Sequence, residues 1–211
     1  MSVLKGEGTT VILYGTTNVS TGARAYRGYL ARPDLMGEWP TVVLPSPSYE
    51  ASSSVHAICR DLARNGIAAV APDTDGLDAF IGFITNPAGH WSNAEYGFGI
   101  LSVGDGSTAD ATAAVASGLV SSLALVDPTL DQAALGLLTE VAVPVLGCSG
   151  RVGLAGLEDA RAAAPHAEWV VYDGVGAQYW NINAEGYDQV AAEDTRDRVI
   201  EFFAESLPVK I

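Results

Sequence analysis

The chain has 211 residues, 48% of them hydrophobic, and a formal net charge of −14 from 25 acidic against 11 basic side chains. That apolar content excludes intrinsic disorder, and the length suffices to bury a core without disulfide or metal staples. The acidic balance disfavours nucleic acid and anionic membrane as partners, since both select basic surfaces.

The two cysteines, Cys59 and Cys148, sit in apolar runs and give no disulfide framework, which suits a reducing compartment and a cytoplasmic location. The first residues lack a charged leader followed by an apolar run, and no apolar stretch is long enough to span a bilayer. No linker or repeat divides the chain, so a single domain over residues 1–211 is expected.

Val11–Tyr14 and Arg24–Leu30 are short β-rich runs around a Thr/Gly/Asn cluster at 15–22, the pattern of a hairpin. Thr41–Leu44 is a continuous apolar run, as expected of a strand covered on both faces. A loop, Pro45–Glu50, leads to Ser52–Ser54, which can cap a helix with an apolar stripe of Val55, Ile58, Cys59, Leu62 and Ala63. After Asn65-Gly66 comes a buried strand over 67–71, closed by Pro72-Asp73. Residues 74–94 read as irregular around a short apolar segment, Leu77–Ile84.

A strand over 95–103 then enters a glycine turn and an alanine-rich helix from Ser107. Further strands are expected at 119–126, 143–148 and 168–172, and further helices at 130–138, 154–164 and 187–207. Alternation at these lengths predicts an α/β fold, with a mostly parallel sheet of seven or eight strands and helices on both faces.

The strand-turn-helix Gly97-Phe-Gly-Ile-Leu-Ser-Val-Gly-Asp-Gly-Ser-Thr-Ala109 lies where an α/β-hydrolase carries its nucleophile elbow, Gly-x-Ser-x-Gly or its Cys equivalent. Other pieces are Gly28-Tyr-Leu-Ala-Arg-Pro33, Leu62-Ala-Arg-Asn-Gly66 through Asp73, Pro144-Val-Leu-Gly147 and the Tyr187-Asp run. In order and spacing these make the chain resemble the dienelactone hydrolase family of α/β-hydrolases along nearly its whole length. The resemblance implies the α/β-hydrolase fold without a large cap domain. It also implies a triad of Cys or Ser, Asp and His, in which the base activates the nucleophile and the carboxylate orients the base.

Carried over one residue at a time, the nucleophile position falls on Gly104 and the Asp position on Gly153, within Gly150-Arg-Val-Gly153. The His position falls on Ala177, within Gly174-Val-Gly-Ala177, and the family's glutamate after the third strand falls on Pro47. None of the three triad positions carries a functional group, so triad hydrolysis is not expected.

The backbone N–H groups of Ser48 and Asp105 match the family's oxyanion-hole donors, which need no particular side chain. Asp105 is the candidate acid or base, with capping of the following helix as its alternative role. Tyr49, Glu50, Trp91 and the run Gln178-Tyr179-Trp180-Asn181 are the candidates to line an apolar pocket for a small organic ligand or substrate. Ser102 and Cys148 read as packing residues, and His56, His90, His166 and Arg151 as surface residues, so no displaced triad is assembled from them.

Nothing has metal-ligand spacing, and no phosphate loop or dinucleotide fingerprint is present, so no metal or cofactor is expected. Oligomeric state has no signature. Three readings follow: an enzyme repurposed for cyclisation, isomerisation or proton-transfer addition; a non-catalytic protein binding a ligand or partner; and a hydrolase with a displaced nucleophile.

Overall fold

The computed structural model describes residues 10–22, 24–45, 52–73, 75–86, 90–104, 111, 115, 118–150 and 156–207. The β-branched and apolar runs bounded by Gly, Pro and Asn form eight strands. These are β1 (Ile12–Thr21), β2 (Arg24–Pro33), β3 (Thr41–Val43), β4 (Ala68–Pro72), β5 (Phe98–Val103), β6 (Val120–Val126), β7 (Val145–Gly150) and β8 (Glu168–Tyr172). They join in one sheet, in the order β1-β2-β4-β3-β5-β6-β7-β8. β1 pairs antiparallel with β2, and β2 antiparallel with β4; every later pairing is parallel.

Five α-helices are described, α1 (Ser52–Arg64), α2 (Leu77–Thr85), α3 (Gln132–Leu138), α4 (Leu157–Ala163) and α5 (Gln189–Ser206), with a single 3-10 turn at Ala94–Tyr96. The apolar stripe read on α1 faces the sheet, with Val55, Cys59, Leu62 and Ala63 all buried. They pack in one layer with Val199 and Phe203 of α5. α2, α3 and α4 contribute Phe80, Ile84, Leu135, Leu138 and Ala160 to the layer on the other face. Asp131 caps α3 by accepting the Ala134 N–H, and Asp188 caps α5 by accepting the Ala191 N–H.

Two sequence expectations are corrected. Residues 15–21, read as a loop cluster, continue β1, because their register partners in β2 run on to Arg24 and leave only a tight connection. Leu77–Ile84, read as part of an irregular segment, is helical. Leu77, Phe80, Ile81 and Ile84 recur at helical spacing, and Phe80 and Ile84 are fully buried.

His56 on α1 stacks on Tyr29 of β2, with ring centroids 3.9 Å apart and planes 14° from parallel. Burial first, and the Arg60 guanidinium second, hold its pKa below the ordinary 6.5. Between 6.5 and the lower folded value the unfolded chain binds more protons, so stability is lost as pH falls through that window. His56→Phe keeps the stack and is expected to flatten that part of the stability–pH curve, measured as the difference between wild-type and variant denaturation midpoints.

Candidate functional site

β5 is buried at every position and delivers Gly104 to its carboxyl end in the left-handed region, with φ +75°. Glycine meets that conformation without steric cost, and it is the sharp exit that a nucleophile elbow requires. The Gly104 N–H donates to the Val126 carbonyl at 2.8 Å and so anchors the turn to β6. A Cβ on Gly104 would stand 3.0 Å from Cζ2 and 3.8 Å from Nε1 of Trp180. The indole therefore occupies the space into which a nucleophile would project. Its Nε1 is buried and has no hydrogen-bond partner among the described residues. An orphaned buried donor costs about 1–3 kcal/mol.

The chain leaves β6 through Asp127, which is buried and has φ +52°. Its N–H donates to the Cys148 carbonyl at 2.7 Å, and its carboxylate accepts the Gln178 N–H at 2.6 Å. Asp127 thus clamps the loop after β8 against the elbow end of the sheet. The strand expected at 119–126 stopped just short of it; the signal available was a carboxylate directly after a mostly apolar strand.

The loop after β8 is further fixed by a chain of hydroxyls. Tyr179 Oη and Thr195 Oγ1 lie 2.9 Å apart, and Thr195 Oγ1 is 3.0 Å from Tyr172 Oη. Tyr172 Oη donates to Asp194 Oδ2 at 2.8 Å, which also accepts Arg198 Nε at 2.6 Å. Arg198 holds the Asp194 carboxyl below its usual range, while burial pushes both tyrosine hydroxyls up. These tyrosines stay protonated and act as struts.

Of the run 178–181, Trp180 lines the cavity described below. Gln178 is exposed, with φ +58°. Tyr179 is fully buried, with its hydroxyl engaged by Thr195. Asn181 accepts the Ser54 hydroxyl at 2.9 Å and the Asn183 N–H at 3.1 Å, joining the loop to α1. Ser53 and Ser54 thus lie inside the first turn of α1 and bind this loop, with Ser53 accepting Asn183 Nδ2 at 2.8 Å. Gln178 thus faces solvent, and Tyr179 and Asn181 hold the loop.

Trp91 packs on Phe83 at 5.7 Å in the layer opposite Trp180, and its carbonyl accepts the Trp39 N–H just before β3, at the amino end of the parallel strands. Ala177 is exposed at the start of the turn carrying Gln178. Pro47, Ser48, Tyr49, Glu50, Asp105, Arg151 and Gly153 lie outside the described residues.

Among the described residues, the cavity that Trp180 lines lies between α1 and α5, on one flank of the sheet. Its volume is about 220 Å³, with Leu101 and Val126 as floor. The sequence hid it because its walls come from α1, β5, β6 and α5.

No other described group is set up as a nucleophile. Ser102 is buried within β5. Burial pushes the Cys148 thiol up to about 12 and raises Cys59 too, so neither ionises near neutrality. Both thiols are expected to resist iodoacetamide in the folded protein and to react only in denaturant, as read by intact-mass spectrometry. His90 and His166 are exposed, and His56 is on the Tyr29 stack. Among the described residues no three His, Cys, Asp or Glu side chains gather as metal ligands, and no helix is long and apolar enough to cross a membrane.

No family model matches the sequence, and no curated protein matches it. Solved structures do match. A Klebsiella pneumoniae protein assigned as a dienelactone hydrolase superposes with a TM-score of 0.79 at 19% identity, covering 92% of this chain and 99% of that one. A dienelactone hydrolase from Anabaena variabilis gives 0.74 at 19% identity, covering 93% and 99%. A thermostable esterase from Pseudomonas putida gives 0.72 at 13% identity, covering 94% and 84%. Likeness at such identities speaks for architecture alone. With its strand order, its left-handed turn after β5 and these superpositions, the chain has the α/β-hydrolase fold.

Proposed function

We propose that this chain is a non-hydrolytic member of the fold, which holds a small organic molecule rather than cleaving one. The observation that carries the reading is the Trp180 indole, standing 3.0 Å from where a Cβ on Gly104 would be. A nucleophile needs free space for the attacked carbonyl and a base within hydrogen-bond reach. Here the space is filled, and the position expected to carry the base is Ala177, which is exposed. The glycines and alanine at the three triad positions support the same conclusion. A ligand-sized cavity beside the filled elbow supports binding.

A second reading, an enzyme of cyclisation, isomerisation or proton-transfer addition, is favoured by one observation. Asp127 places a buried carboxylate at the carboxyl end of β6, next to the elbow. Asp105 remains its other acid–base candidate.

The test is turnover of p-nitrophenyl esters and a dienelactone, with parallel labelling by a fluorophosphonate and an iodoacetamide probe. The expected result is hydrolysis at the buffer rate and no label on the folded protein. Turnover that disappears on Ser102→Ala or Cys148→Ala would overturn the reading.

A further inference from the structure

The cavity between α1 and α5 is separate from the elbow. Ile58 and Leu62 of α1 form one wall, Val199 of α5 the other, Leu101 and Val126 the floor, and the Trp180 ring the cover toward Gly104. Ile182 at its edge is 65% exposed, a large apolar side chain left in water beside an apolar opening.

We infer that this flank cavity is a binding site for a neutral, ring-sized apolar molecule and that it discriminates against small carboxylates. The inference rests on the non-hydrolytic reading above and adds to it the place and the ligand class. Two observations fix the class.

The first is volume. An apolar cavity of about 150 Å³ accepts a benzene ring. The 220 Å³ here therefore takes one ring with a short substituent, about nine heavy atoms in proportion.

The second is charge. The ionised groups lining the cavity are Asp61, Glu193 and Arg196. Asp61 is matched by Arg64 at 2.9 Å, and Arg196 by Asp197 at 3.3 Å. Glu193, exposed at the rim, accepts the neutral Gln189 amide, and among the described residues no cation pairs with it. A ligand carboxylate would thus meet uncancelled negative charge, within a chain whose net charge is −14. Thr195 Oγ1, also at the cavity, is already engaged by Tyr179 and Tyr172, so the recognition is mainly apolar.

The probes are 2-phenylethanol and phenylacetate, nearly isosteric and differing in charge. The readout is methyl NMR of Ile58, Leu101 and Val199 in the full chain. Saturable shifts of all three methyls with 2-phenylethanol are expected, with phenylacetate weaker by about fivefold, the size of one unfavourable charge contact in water. Ala192→Phe, which fills the cavity from α5, is expected to abolish the shifts, and Ala57→Phe fills it from α1 if the first variant does not fold. Methyls unmoved up to the solubility limit of 2-phenylethanol would overturn the site. Phenylacetate binding as tightly would overturn the charge rule. Ester turnover in the same samples bears on the non-hydrolytic reading alone, so the two failures are distinguishable.

Discussion

Phe203→Ala is expected to lower the unfolding free energy by about 3–5 kcal/mol, the range for removing a fully buried aromatic ring. The ring has no exposed surface and lies on Gly99 of β5, where a Cβ would come within 2.6 Å of it. α5 therefore seats its ring directly on the backbone of the strand that ends at the elbow. The loss includes the transfer of the ring to water and the cavity left between α5 and β5. Urea denaturation with an unchanged m-value is the check, since an altered m would mean a changed denatured state. Gly99→Ala acts on the same contact from the other side. It forces Phe203 to shift, at about 1–3 kcal/mol for overpacking.

Asp127→Ala is expected to cost about 1.5–3 kcal/mol, the range for a hydrogen bond to a charged group. The Gln178 N–H loses its acceptor, and alanine is poorly suited to φ +52°. Asp127→Asn keeps an acceptor oxygen and suits the left-handed region, so it is expected to retain most of that stability. The pair separates clamping from proton transfer. If any turnover is found, its loss in Asp127→Asn at intact stability assigns the carboxylate to chemistry.

The sheet was legible in the sequence because β3 to β7 are mostly apolar runs between turn residues, and α1 because its stripe repeats at helical spacing. β1 was read short, since Thr16, Thr17, Asn18 and Ser20 look like a loop until their pairing with β2 is known. α2 was missed because Gly82 and a flanking proline segment obscured a regular Leu77-Phe80-Ile81-Ile84 spacing. The left-handed turn at Gly104 was legible from a strand running into glycines. The loop 178–181 was not, because an irregular segment has no period to say which side chain faces where. Trp180 faces the elbow while Tyr179 turns to Thr195, a division made by tertiary hydrogen bonds that adjacent residues do not encode.

The placement of Trp180 also bears on engineering. A single codon change at position 104 would set a hydroxyl against an indole, on a backbone strained for any residue but glycine. On the non-hydrolytic reading proposed above, installing ester cleavage would therefore take an imidazole near Ala177 and a smaller residue at 180 together, with neither change useful alone.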